Sequence, residues 1–142
     1  MKNTSVTPKS SFPPLLSLTY VLQQSSDEVL TKEAGVSLSQ ARIMSALGSM
    51  PVSQRAVAVS LHQTEANVSR QLHVMKKHGL VSVLKNRQDG RQRDVSLTRK
   101  GAARYQKARK ILIAQQRNFL KTMSTGEADI LEFAVQKLST KL

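Results

Sequence analysis

Asp89-Gly90-Arg91-Gln92-Arg93-Asp94-Val95-Ser96-Leu97-Thr98-Arg99-Lys100-Gly101 holds the change of hydrophobic period on which the fold of this chain turns. From Arg93 to Thr98 the residues alternate, with Val95 and Leu97 on one face, which is the pattern of a half-buried strand. Just upstream, Leu80 to Lys85 is rich in Val and Leu, and the polar stretch Asn86 to Gln92 between the two carries the turn pair Asp89-Gly90. The two runs are expected to form a β-hairpin with an arginine-rich tip. Thr98 is then placed to cap a long helix from about Arg99 to Met123. Tyr105, Ala108, Leu112, Phe119 and Met123 give that helix an apolar stripe at spacings of three, four and seven.

Upstream of the hairpin the period is helical. Pro51 and Ser53 open a short helix through Leu61, and Thr64 caps another that runs to His78 and stops at Gly79. Val57, Ala58 and Leu61 face inward from the first, and Val68, Leu72 and Met75 from the second; Ala58 is small enough to let the two cross closely. This leaves Ala66, Asn67, Ser69, Arg70 and His73 on the outer face of the second helix. Asn pairs bidentately with adenine, Arg with guanine, and Ser bonds a base or a phosphate, so this face has the composition of a base-reading helix. Thr64 and the free amides of the first turn suit a phosphate. Ser53, at the start of the preceding helix, joins the candidate contacts. Further out, Pro13-Pro14 starts a helix that reaches about Lys32 and ends at Gly35, and Ser37 or Ser39 caps one carrying Ile43, Met44 and Leu47 that stops at Gly48. Ser124-Thr125-Gly126-Glu127 forms a capping box for a last helix with Ile130, Ala134 and Leu138. Residues 1–12 are polar and are expected to be a flexible arm before a single domain over 13–142.

Charge separates the same region from the rest. The 142 residues carry a net charge of +13, and residues 66–110 alone hold thirteen Lys/Arg against Asp89 and Asp94, a local +11. A field concentrated in a third of the chain attracts a polyanion, and duplex nucleic acid is the partner expected. Arg87, Arg91 and Arg93 crowd the hairpin tip and repel one another; an arginine finger in a narrow, electronegative minor groove meets that arrangement. Asp89 is expected to pair with a neighbouring arginine and stiffen the loop. Lys76, Lys77, Lys85, Arg87 and Arg93 are the candidate phosphate contacts, with Arg91 as the minor-groove probe.

The quoted stretch resembles the wing of MarR-family regulators, whose pattern is Asp-x-Arg, three further residues, then Val-x-Leu-Thr-x-x-Gly. Gly79-Leu80-Val81 is similar to the start of their first wing strand, and Val68-Ser69-Arg70, six residues before Lys77, to the end of their recognition helix. The resemblance spans roughly residues 13–140. It implies a winged helix-turn-helix, mainly α with a small β-hairpin wing, of six helices in an intertwined homodimer. The winged lobe would cover 37–101 and the dimerisation helices 13–34 and 102–140. The expected function is that of a sequence-specific transcriptional regulator, a repressor on a pseudo-palindromic operator. The family often binds aromatic or anionic effectors between the dimer helices and the lobe, which nominates Tyr20, Arg42, Met44 and Tyr105 for such a cleft. Two positions depart from the pattern: His62 stands in the turn where the family often has glycine, and Gln63 where an apolar residue is common. His tolerates the left-handed conformation better than most residues, so the turn is expected to survive.

Other chemistry finds little support. The chain has no cysteine, which excludes disulfides, thiolate ligands and cysteine-based oxidant sensing. His62, His73 and His78 do not form a ligand set, and His73 and His78, five apart on one helix, point to different sides. No Gly-rich phosphate loop or Ser-His-acid arrangement is visible, so neither catalysis nor a cofactor is expected. No signal peptide or 20-residue apolar span is present, so the expectation is a cytoplasmic protein without a membrane partner. Two competing readings use the same features: a nonspecific architectural DNA-binding protein, and a winged-helix module for an acidic protein partner.

Overall fold

The computed structural model of this chain describes residues 11–48 and 50–141. In chain order it has helix α1 (Pro14–Ala34), α2 (Leu38–Ala46), strand β1 (Val52–Ser53), α3 (Gln54–Ser60), α4 (Glu65–Lys77), β2 (Val81–Lys85), β3 (Arg93–Leu97), α5 (Arg99–Leu120) and α6 (Thr125–Ser139). The helix starts follow the capping residues. Ser37 accepts the Gln40 amide while Gln40 returns a bond to the Ser37 amide, closing a capping box on α2. Ser53, Thr64 and Thr98 each accept the amide three residues on, at α3, α4 and α5. Ser124 and Glu127 form the second capping box, on α6, and the Ser124 amide and hydroxyl hold the Glu127 carboxyl below its ordinary pKa. Gly35 and Gly79 end α1 and α4 at φ 65° and 69°, the left-handed geometry that lets the chain leave a helix sharply.

The expected β-hairpin is present as β2 and β3, and a strand that the sequence reading does not include, β1, joins it in a three-stranded antiparallel sheet of order β1-β3-β2. β2 and β3 pair from Val81↔Leu97 to Lys85↔Arg93, and on the far edge Val52 pairs with Val95 and Ser53 with Asp94. A strand of two residues has no period to detect, and Pro51 and Ser53 signalled only a helix start. Pairing on both sides makes β3 the central strand, and Val95 is fully buried. α5 also ends sooner than expected, at Leu120 rather than Met123.

One core fills the space between α1 and β3. Leu30 and Ala34 enter from α1, Ala41, Ile43 and Met44 from α2, Val57 and Ala58 from α3, and Val68, Leu72 and Met75 from α4. Val81 and Val95 close it from the sheet, Leu80 from the turn that leads into β2, and Ala108 from α5. α6 contributes no buried residue. Its apolar side chains are open to solvent, with Ile130 70% and Phe133 67% exposed, as are Leu15, Leu16, Leu18 and Val21 on the first half of α1. The polar arm expected over 1–12 lies outside the described residues except for Ser11 and Phe12.

Candidate nucleic-acid interface

The turn between α3 and α4 is set by backbone geometry. The His62 amide bonds the Val59 carbonyl at 3.1 Å, and the Gln63 amide reaches back to the Ala58 carbonyl at 2.9 Å. His62 sits between them at φ 52°, the left-handed region expected for this turn. Ala58 is buried, so no side chain holds the two helices apart. Val68, Leu72 and Met75 anchor α4 from below, which fixes the opposite face outward: Ala66, Ser69, Arg70, His73, Lys76 and Lys77 are all exposed. Asn67 is half-buried, and its side-chain amide donates to Gln63 Oε1 at 3.1 Å. Gln63, which departs from the family pattern, therefore orients one of the nominated base-reading side chains. The Thr64 hydroxyl accepts the Asn67 amide at 3.2 Å, and the Ser53 hydroxyl accepts the Ala56 amide at 3.1 Å, so both nominated hydroxyls serve as caps in the free protein.

The wing is organised by a residue that the sequence reading passed over. Asn86 Oδ1 accepts the amides of Gln88 at 2.8 Å and Asp89 at 2.9 Å, while its Nδ2 donates to Asp94 Oδ2 at 2.9 Å. Its own amide bonds the Gln92 carbonyl, which closes the loop. Asn as the first residue after a strand is a signal for an Asx turn and could have been found from sequence. Asp89 stiffens the loop differently from expectation. Its carboxylate accepts the backbone amide of Arg91 at 3.0 Å, with no guanidinium partner among the described residues. The consequence is that Arg87 and Arg91 remain exposed and Arg93 reaches only the Gly90 carbonyl, at 3.5 Å. Lys85 is exposed where β2 meets the loop.

Among the described residues the one ion pair is Arg55 with Glu65, at 3.8 Å and exposed. No cation of α4 or the wing lies within ion-pair distance of a carboxylate among the described residues, and their field projects into solvent. Among the described residues no group of three His, Cys, Asp or Glu side chains is placed to hold a metal ion, and no helix is long and apolar enough to cross a membrane.

The four residues nominated for an effector cleft do not come together. Met44 is fully buried in the core, because it lies on the inner face of α2 beside Ile43 and opposite Arg42. Tyr20 lies on the open face of α1 in a groove with Phe12, Leu16 and Val21. Arg42 and Tyr105 do meet, in a hollow of about 180 Å³ between α2 and α5 that Leu38, Arg109 and Leu112 also line. Periodicity identified Met44 as apolar and helical but could not say which face of α2 the core would cover.

Comparison with known proteins agrees with this geometry. The sequence model of the MarR family matches residues 34–92, which run from the end of α1 through the wing loop. The fold matches a crystal structure of MarR with a TM-score of 0.80, at 15% identity, over 91% of this chain and 97% of that one. It matches the Staphylococcus aureus MepR–DNA complex with a TM-score of 0.77, at 18% identity, over 89% and 94%. The Streptococcus pneumoniae FabT structure, also in complex with DNA, matches with a TM-score of 0.74, at 19% identity, over 89% and 90%. Among curated proteins none matches the sequence significantly.

Proposed function

We propose that this chain, a winged-helix protein of the MarR family, is a sequence-specific regulator of transcription that binds duplex DNA as a homodimer. The observation that carries the proposal is the unpaired cationic surface: an exposed polar and basic face on α4 beside an arginine-tipped wing, in a region of net charge +11. MepR and FabT, which share the fold, were solved with DNA. In this reading Asn67, Ser69 and Arg70 read bases in the major groove, and Arg91 enters the minor groove. Lys76, Lys77, Lys85, Arg87 and Arg93 hold phosphates, with the first turn of α4 at Thr64 and Ala66, and His73 and Ser53 at the margin.

The apolar faces of α1 and α6, which the single chain leaves in water, support the dimer in this reading. The winged lobe would span 37–101 and the dimerisation helices 13–34 and 102–140. Two lobes one helical turn apart, about 34–36 Å, would read a pseudo-palindrome, and occupancy of such a site would repress by excluding polymerase. The hollow at Arg42, Tyr105 and Arg109 places two guanidiniums beside a phenol and suits a small anionic aromatic effector, which would release DNA by changing the lobe spacing.

Selection of bound fragments from genomic DNA at physiological salt tests the proposal. Enrichment of a palindrome with half-sites about ten base pairs apart is the expected result. A flat profile would make the protein a nonspecific DNA binder, and no retention of duplex at all would point instead to a protein partner.

A further inference from the structure

The C-terminal ends of α4 and α1 are both held by the first two turns of α5, through Lys100 and Arg104, which lie four residues apart on one face of that helix. The three carbonyls that follow α4 are all taken by the start of α5. Lys100 Nζ donates to the His78 carbonyl at 2.8 Å, the Thr98 hydroxyl to the Gly79 carbonyl at 2.6 Å, and the Thr98 amide to the Leu80 carbonyl at 3.1 Å. Four residues beyond Lys100, Arg104 Nη1 donates to the carbonyl of Ala34, the last residue of α1, at 2.8 Å. That approach depends on Gly35, since a Cβ there would come within 2.8 Å of the same Arg104 nitrogen. Both cations meet the negative end of a helix dipole, where a charged donor is favoured over a neutral one. α4 packs chiefly on α2, α3 and β2, so these bonds, together with the close approach of Gly101 to the Leu80 carbonyl, tie its C-terminal end to the long helix.

We infer that Lys100 and Arg104 are positioning residues that lock the pose of α4 against α1 and α5. They would serve DNA reading without touching DNA, and the inference rests on the proposed function above. The charge of Lys100 belongs to the basic segment, yet its ammonium is spent on a protein carbonyl. Base contacts in two successive grooves require a fixed pose of each α4, whereas phosphate contacts tolerate a moving one. Loss of either brace therefore acts on discrimination and leaves the electrostatic part of binding intact.

The test compares Lys100→Met, Arg104→Met and the two together with the rescue variants Lys100→Arg and Arg104→Lys. Binding to the selected operator and to an unrelated duplex is measured across salt concentrations. The expected result is an operator affinity at least tenfold lower in the double variant, with the unrelated duplex and the salt slope as in the parent, and recovery in the rescue variants. A salt slope reduced by about one in Lys100→Met would make Lys100 a phosphate contact and overturn the inference. Unchanged operator affinity would overturn it equally. A second readout needs no DNA. Because the chain has no cysteine, spin labels at Lys32→Cys and His73→Cys, with the labelled protein diluted into an excess of unlabelled protein so that a dimer carries at most one labelled protomer, report the α1–α4 distance within one chain. That distribution is expected to broaden in the Met variants and stay narrow in Arg104→Lys; equal widths would sink the brace. A parent protein that bound no duplex would refute the proposed function, while the label widths would still decide on the brace.

Discussion

Gly101 lies directly against the carbonyl of Leu80, so that a Cβ at position 101 would overlap the Leu80 oxygen. The contact joins the first turn of α5 to the residue that leads from α4 into the wing. Both sides are backbone and neither can turn aside. The same carbonyl already accepts the Thr98 amide at 3.1 Å, which holds it in place. Gly101→Ala is expected to destabilise the fold by at least about 2 kcal/mol, the order of an overpacked core. A Cβ at Gly126, near the start of α6, would meet nothing within 4 Å among the described residues, and Gly126→Ala should be neutral or stabilising by up to about 1 kcal/mol. Urea unfolding of the two variants checks this: equal midpoints would mean that the Gly101 contact is not a constraint.

His62 is the one non-glycine residue at positive φ among the described residues. Holding an L-residue there costs on the order of 1 kcal/mol. His62→Gly should therefore raise stability by up to about 1 kcal/mol, while His62→Val, whose branched Cβ fits this region worst, should lower it. A melting temperature that fell for both variants would show that the imidazole makes a contribution beyond occupying the turn.

Arg70 and Lys76 separate reading from holding. Arg70→Ala is expected to cost about 1–3 kcal/mol on the preferred site and to relax base preference at one position. Lys76→Ala should weaken binding to all duplexes alike and reduce the salt slope by about one. Arg91→Ala should lower affinity most where the operator is rich in A·T beside the half-site, because the narrow minor groove there draws the guanidinium in. An Arg91→Ala protein with unchanged operator affinity would remove the wing from the interface.

Phe133 and Ile130 lie on a helix that buries nothing in the single chain. If α6 completes a dimer with α1, Phe133→Asp places a carboxylate in an apolar interface, and the cost of desolvating it should shift the protein to monomer. Sedimentation velocity reads this directly. A Phe133→Asp protein that still sedimented as a dimer would require a different interface.

Much of this protein was legible in local pattern, because the signals concerned are short-range. Ser37, Thr64, Thr98 and Ser124 cap helices through bonds three residues long, and Gly35 and Gly79 end them through their own φ angles. The alternation around Val95 and the concentration of charge in 66–110 needed no distant contact either, and the left-handed turn at His62 was implied by the family resemblance. Tertiary structure decided whatever depended on which face the core would cover. It buried Met44 and kept Tyr20 apart from Arg42 and Tyr105, it added Val52–Ser53 as an edge strand across from Val95, and it gave Asp89 an amide in place of a guanidinium. Above all it brought Lys100 to His78 and Arg104 to Ala34, pairs 22 and 70 residues apart. Periodicity reports what lies within a turn or two of a residue; a donor and a carbonyl from different helices meet only when packing has set both helices in place.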